Sequence, residues 1–242
     1  MEKEKQLLIG CSGYYYPQWK GTFYPSKLSP SKWLEHYSAV FNTVEFNGSF
    51  YRVPKLADMK KQYENTPPGF KFSVKVNRHI THILRLKNTA EEIRQFRELV
   101  EEGFADKLHK LLFQMPPSFQ YSEENLEQIV TNIPKGSQNV IELRDHSWWN
   151  NGQVEKVFKE MGYIFCNVDY PGLQDKFIST SNEFYLRLHG TPDLFKSAYT
   201  NEQLEQFYRQ IPPNDSCTIY FNNTYYNAGH ENALKMMRIA GI

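Results

Sequence analysis

Residues 108–130, LHKLLFQMPPSFQYSEENLEQIV, hold one complete strand and helix unit. The apolar run Leu108–Gln114 is typical of a buried strand. Ser122 is followed by two glutamates, and both residue types are favoured at a helix N-terminus. Leu126 and Ile129 then recur at helical spacing. The sequence therefore predicts a strand over 108–114 and a helix that begins after Ser122.

Seven further short runs with strand character alternate with helical patterns along the chain. They are Leu7–Ser12, Thr43–Asn47, Phe70–Asn77, Asn139–Arg144, Tyr163–Asp169, Phe184–Gly190 and Cys217–Asn222. Dividing 242 residues by eight gives about 30 per unit, the size of one strand, one helix and two loops. The sequence therefore predicts an α/β fold, a TIM-type (β/α)₈ barrel formed by residues 1–242 as a single domain. We expect the barrel to be irregular between the sixth and seventh strands, because residues 170–182 show no helical period.

The composition is that of an ordinary globular protein. Its 28 Lys and Arg against 27 Asp and Glu give a net charge of +1, so no overall field attracts nucleic acid or anionic lipid. The first apolar run, Leu7–Ile9, is too short for a signal sequence or a membrane span. The cysteines Cys11, Cys166 and Cys217 lack CxxC spacing and lie in apolar runs, which favours buried thiols in a reducing compartment. We therefore expect a cytoplasmic protein without a membrane partner.

Every predicted strand ends in a polar or ionisable residue. Residues two apart on a strand share a face, and one face of each barrel strand is the interior. By this rule the following residues gather at the carboxyl ends: Ser12, Glu45, Asn47, Lys75, Gln114, Glu142, Arg144, Asp169, Arg187, His189 and Asn222. Active sites of TIM barrels lie at that end, so the sequence predicts a functional pocket there. The alternative is a buried network in which opposite charges neutralise one another.

Several of these residues belong to longer motifs. The motifs are Gly10–Trp19 (GCSGYYYPQW), Phe41–Tyr51 (FNTVEFNGSFY), Lys75 with Ile80–His82, Leu112–Pro117 (LFQMPP), Glu142–Arg144 with Ser147–Trp148, Arg187–Gly190 (RLHG) and Tyr220–Asn223 (YFNN). Together they resemble domain-of-unknown-function family 72, also called YecE-like, over nearly the whole chain. The resemblance implies a TIM-type barrel, in agreement with the strand count, and it implies no particular reaction.

The cationic residues at the strand ends favour a small anionic ligand. Lys75, Arg144 and Arg187 are expected to hold a phosphate or a carboxylate, which a guanidinium binds through two parallel hydrogen bonds. Further ligand-binding candidates, chosen for their amides, rings or position, are Asn47, Gln114, Asn222, Tyr16, Trp148 and His79. On this view, the substitution Arg187→Ala should weaken ligand binding and barely change the fold.

His189 is the first choice for a general acid or base. It follows the seventh strand directly and precedes Gly190, which is expected to leave its ring accessible. Two carboxylates in unlike surroundings can also supply an acid and a base. The carboxylate candidates for proton transfer are Glu45, Glu142 and Asp169.

Two other functions remain open. A divalent ion held by the three carboxylates and His189 would make the protein a metal-dependent hydrolase or isomerase, although the nearby cations would repel the ion. His79 and His82, three residues apart, lack a third metal ligand nearby in sequence. The third function is a non-catalytic barrel that binds nucleotide or nucleic acid through a basic patch over residues 71–87, which the near-neutral net charge disfavours. The sequence indicates neither a cofactor nor an oligomeric state.

Overall fold

The structure is a computed structural model that describes residues 6–173, 176–212 and 216–242. Its strands are β1 (Leu7–Cys11), β2 (Thr43–Phe46), β3 (Lys71–Lys75), β4 (Leu108–Gln114), β5 (Asn139–Glu142), β6 (Ile164–Asp169), β7 (Glu183–Leu188) and β8 (Ser216–Phe221). The eight predicted strands are confirmed, each to within two residues at either end. They pair in parallel and in chain order from β2 to β8, with β1 beside β8, so the sheet forms a nearly closed TIM-type barrel.

Helices connect the strands, and all but the short helix Gly48–Tyr51, at the carboxyl end of β2, pack around the outer side of the sheet. They are α1 (Trp33–Val40), α2 (Gly48–Tyr51), α3 (Leu56–Glu64), α4 (Ala90–Phe104), α5 (Glu123–Asn132), α6 (Gly152–Met161), α7 (Asn201–Gln210) and α8 (Ala228–Ala240). The predicted N-cap of α5 is confirmed, because the Ser122 hydroxyl accepts a hydrogen bond from Asn125 N at 3.1 Å. Across the described parts of the chain, no helix combines the length and apolar character needed to cross a membrane.

The connection from β6 to β7 is irregular, as predicted. Residues 170–173 and 176–182, which the structure describes there, contain no helix. The side chain of Asn167 on β6 holds this segment in place: its amide nitrogen donates to Ile178 O at 2.8 Å and its amide oxygen accepts from Ile178 N at 2.7 Å. Thr180 likewise accepts from Phe165 N at 3.0 Å. On the outer face of β6, Asn167 therefore holds the irregular segment, while Phe165 packs against Phe158 of α6.

Side chains join β1 to β2, where the sheet order has no backbone pairing. The Tyr37 hydroxyl accepts from Cys11 N at 2.7 Å and donates to Thr43 O at 3.0 Å. The Asn42 amide makes two further hydrogen bonds to the β1 backbone, both 2.9 Å long. Gly10 allows the close approach, because a Cβ there would lie 2.1 Å from Thr43 O. Tyr37 and Asn42 together thus close the barrel between its first two strands.

We expect the substitution Tyr37→Phe to destabilise the fold. It leaves a buried amide and a buried carbonyl without a partner, which costs about 1–3 kcal/mol. Urea unfolding measures the loss. The control is Tyr63→Phe, whose hydroxyl donates to Asp106 at the surface at 2.9 Å and should change stability little. Equal effects of the two substitutions would contradict a closing role for Tyr37.

Candidate functional site

A buried ion network lies below the carboxyl ends of the strands. Arg187, on β7, is its centre: Nε and Nη2 donate to the two carboxylate oxygens of Glu45 at 2.9 and 2.7 Å, and Nη1 donates to Glu142 Oε2 at 2.5 Å. These three side chains are at most 1% exposed. Arg144 Nε donates to the other oxygen of Glu142 at 2.5 Å. Two guanidinium groups therefore neutralise two carboxylates.

Both carboxylates of the network are held by several donors. Glu45 also accepts from Ser12 Oγ at 2.7 Å, Tyr185 Oη at 3.0 Å and Asn47 Nδ2 at 3.2 Å. Burial by itself would raise the pKa of Glu142, but the charges of Arg144 and Arg187 outweigh it and hold that pKa well below its usual range. The network that the sequence offered as the alternative to a pocket is thus present, and Glu142 is ionised within it.

A cavity of about 450 Å³ opens above the network. The predicted site residues that line it are Asn47, Lys75, Gln114, Arg144, Arg187 and Asn222. The other lining residues are Phe50, Tyr51, Arg78, His82 and Phe195, of which Arg78 and His82 belong to the segment 71–87 considered above as a basic patch. None of the described lining residues is acidic, so the cavity wall carries positive charge only. A pocket and a network therefore coexist, one above the other.

Two cations of the cavity are free to act on a ligand. The terminal amino groups of Arg144 have no partner among the described residues, and its guanidinium lies 4.8 Å from the centroid of the Tyr170 ring. Lys75 Nζ lies 3.9 Å from the centroid of the Phe50 ring. Burial, followed by the charges of Arg187 and Arg144, lowers the pKa of Lys75 from 10.5 to about 7. Lys75 therefore exchanges its proton near neutral pH.

His189 is a neutral, buried residue. Its side chain is 0% exposed, packs edge to face against the rings of Tyr170 and Phe195, and does not line the cavity. Burial, followed by the charge of Arg187, lowers the pKa of His189 well below its usual value. Its Nδ1 lies 2.9 Å from the amide nitrogen of Asn222. The expectation of an accessible ring is wrong, and His189 supports the wall of the cavity from behind.

Asp169 lies on the outer face of β6, not in the site. Its carboxylate accepts from the hydroxyls of Tyr199 and, at 3.0 Å, Thr191. The inner face of the strand belongs to the alternate residues: Cys166 Sγ lies 3.9 Å from Glu142 Oε2. The prediction that Asp169 joins the other charges is therefore wrong, because the strand presents the opposite set of residues to the interior.

Three further candidates have structural contacts in place of a ligand. The Tyr16 hydroxyl donates to Ser12 O at 2.5 Å, and the side chain is not part of the cavity lining. Trp148 is fully buried, stacks on Phe119 and donates its indole N–H to Phe119 O at 2.6 Å. His79 is exposed and lines a separate apolar groove on the outside of the barrel. None of the three lines the cavity, so the structure does not bring them together with the other predicted site residues.

The metal site suggested by the carboxylates and His189 does not assemble. Within residues 6–173, 176–212 and 216–242, no three His, Cys, Asp or Glu side chains are grouped to hold a metal ion. Glu45 and Glu142 are hydrogen-bonded to Arg187, and Asp169 points away from them. The basic patch is divided as well, since Lys71 begins β3 and Lys75 ends it, at opposite ends of the barrel.

A comparison with protein families identifies the chain. A family model described as "Protein of unknown function DUF72" matches residues 8–242. The chain belongs to the DUF72 family. One relative of this DUF72 protein is UPF0759 protein YunF of Bacillus subtilis. The two chains are 25% identical in an alignment of 260 positions, gaps included, that covers 91% of each chain. UPF0759 protein YecE of Escherichia coli is 24% identical over 152 residues, 62% of this chain and 53% of the relative.

Solved structures of DUF72 proteins share the fold. A DUF72 family protein of Thermotoga maritima is 28% identical, with a TM-score of 0.85 over 98% of this chain and 100% of that one. A DUF72 family protein of Enterococcus faecalis is 18% identical, with a TM-score of 0.80 over 98% and 96%, a likeness that bears on the fold alone. The predicted family and barrel are confirmed. None of these names states a reaction, so the function of this DUF72 protein is argued from its site.

Proposed function

We propose that this DUF72 protein is an enzyme that carries out acid/base chemistry on a small anionic molecule, phosphorylated or carboxylated, bound in the cavity at the strand ends. The supporting observation is the one-sided charge of the cavity, whose described lining contains Lys75, Arg78, Arg144 and Arg187 and no acidic residue. The two carboxylates below offset two of these cations. The remaining positive charge favours an anion in the cavity.

Each cation has a separate role in this proposal. Arg144 is anchored through Nε to Glu142, which leaves its two terminal amino groups as a planar fork for a phosphate or carboxylate. Arg78 adds charge at the exposed side of the cavity. Lys75 moves the proton, since its pKa of about 7 matches the range in which a general acid or base is most effective. Arg187 is committed to the network and orients Glu142.

We expect Arg144→Gln to weaken the binding of inorganic phosphate by about tenfold or more. A hydrogen bond to a charged group contributes about 1.5–3 kcal/mol, and the substitution removes two such donors from the fork. Isothermal titration calorimetry at low salt measures the change. The matched control is Arg94→Gln on α4, because Arg94 binds only the surface glutamates Glu91 and Glu98 among the described residues.

The same experiment has two opposing outcomes. Saturable phosphate binding that Arg144→Gln weakens and Arg94→Gln leaves unchanged supports the anion site, whereas no saturable binding to the wild type overturns it.

Catalysis is followed by NMR in D₂O with phosphorylated and carboxylated compounds, as exchange of a C–H proton or formation of product. Lys75→Met should abolish that turnover, and full turnover by this variant would contradict the role of Lys75.

A further inference from the structure

Lys75, which is half-buried, differs from the two lysines buried in the structure, Lys107 and Lys110. Lys107 Nζ donates to three oxygens of Tyr63 and Thr66 at 2.6 to 3.0 Å. Lys110 Nζ donates to Ser137 O at 2.8 Å and to a glutamate carboxylate. Lys75 Nζ, by contrast, has neither an ion pair nor a hydrogen bond among the described residues and rests on the Phe50 ring. Its nitrogen faces the cavity without a structural partner.

The surroundings of Lys75 favour an uncharged amine. An ammonium that is partly removed from water and has no oxygen partner is disfavoured, and the guanidinium groups of Arg187 and Arg144 repel it further. With a pKa of about 7, about half of the Lys75 side chains carry a free lone pair at neutral pH, against fewer than about one in a thousand for a lysine at its ordinary value. A neutral amine is a poor ligand for an anion and a good nucleophile.

We propose that Lys75 is the nucleophile of this site and that the substrate is a small carbonyl compound bearing a phosphate or a carboxylate. The inference rests on the proposed function, because it needs the anion to be held in the same cavity. It assigns the work in that cavity to two groups: Arg144 holds the anion through its open fork, and Lys75 attacks the carbonyl carbon.

The chemical step balances without a further reagent. The Lys75 nitrogen forms a bond to the carbonyl carbon, and the π electron pair of the carbonyl moves to its oxygen. Both hydrogens of the amine then leave with that oxygen as one molecule of water, and the product is an imine between Lys75 and the substrate. Once protonated, the imine withdraws electrons and acidifies the neighbouring C–H bond, which connects this step to acid/base chemistry.

The test is reductive trapping with sodium cyanoborohydride at neutral pH, followed by peptide mass spectrometry. Two matched pairs of aldehydes separate the anion types: glyceraldehyde 3-phosphate against glyceraldehyde, and succinic semialdehyde against butanal. We expect an adduct on Lys75 at least about tenfold faster than on the exposed Lys20, because the neutral fraction of Lys75 is larger. The charged member of one pair should react faster than its uncharged partner, and Arg144→Gln should remove that difference.

Failure of this inference is distinguishable from failure of the proposed function. If phosphate binds as expected but no adduct forms on Lys75, the imine is wrong and the anion site stands. If Lys75 reacts equally with charged and uncharged aldehydes, the nucleophile stands and the anion site is wrong. Lys75→Met, which cannot form an imine and removes the disfavoured charge, should fold at neutral pH and lose the adduct. An adduct at another lysine in this variant would also overturn the assignment.

Discussion

The substitution Arg187→Met is expected to destabilise the protein by about 3–5 kcal/mol, the usual cost of removing one partner from a buried ion pair. Arg187 binds both oxygens of Glu45 and one oxygen of Glu142 with no solvent to replace it. The loss is a large part of the total stability of a typical domain, about 5–15 kcal/mol. Urea unfolding at neutral pH measures it. The sequence-based expectation that a substitution of Arg187 barely changes the fold is therefore replaced.

The loss should depend on pH in one direction. Because the pKa of Glu142 is lower in the folded chain than its ordinary 4.5, its charge stabilises the wild type above about pH 4.5, and this contribution is lost as the pH falls. Without Arg187, Glu142 keeps only Arg144 as a cationic partner, so its charge stabilises the variant less than the wild type. The difference in free energy of unfolding between the wild type and Arg187→Met should therefore decrease as the pH falls. Adding Glu45→Gln to Arg187→Met should recover part of the loss, because Glu45 has no other cationic partner among the described residues.

The surface substitution Arg94→Met is the control for this experiment. Arg94 also binds two glutamates, at 2.5 and 2.6 Å, but these side chains are more than half exposed. Solvent screens such pairs, and their removal costs about 0–1 kcal/mol. A similar loss for Arg94→Met and Arg187→Met would show that the buried network has no special weight in the stability of the barrel.

The strands and their order were predictable because apolar runs of strand length alternate with capped helical patterns. The face that each strand presents was harder to predict. The expectation that polar residues at the strand ends face the barrel interior holds for β2 and β7, which place Glu45 and Arg187 inside. It fails for β6. There Asn167 and Asp169 point outward because they bind the segments that lie over β6 where no helix covers it. Asn167 binds the irregular connection, which was visible in the sequence, whereas Asp169 binds residues that follow β7.

Depth within the barrel could not be predicted from the sequence. Position at a strand end places His189 near the site, but the rings of Tyr170 and Phe195 then cover it completely. Those rings come from connections of irregular structure, whose path no periodic pattern encodes. The same holds for Phe195 as a cavity residue, for which the sequence offered no indication. Residue type and strand register thus locate a site, whereas the loops decide which of its residues a ligand can touch.

Replacement of Lys75 by methionine should stabilise the protein below neutral pH. The pKa of Lys75 is about 7 in the folded chain and 10.5 as its ordinary value, so folding below pH 7 must accommodate an ammonium that burial and Arg187 disfavour. That cost is fully present below about pH 7 and fades as the pH rises to about 10.5. Wild-type stability should therefore rise over this interval, by at most about 1.4 kcal/mol per pH unit from this one proton.

Urea unfolding of wild type and Lys75→Met from about pH 6 to 10 tests this difference. The variant should be the more stable protein at the acidic end, and its advantage should decline as the pH rises. Phosphate should raise the stability of the wild type at pH 6 more than that of the variant, since an anion beside Lys75 offsets the repulsion. Lys20→Met, at an exposed lysine, controls for the general loss of one charge. If Lys75 destabilises the protein without a ligand and a bound anion offsets that loss, its retention is explained by function, because stabilising substitutions at such positions typically remove activity. A Lys75→Met variant that is less stable than the wild type at pH 6 would instead make Lys75 a structural residue.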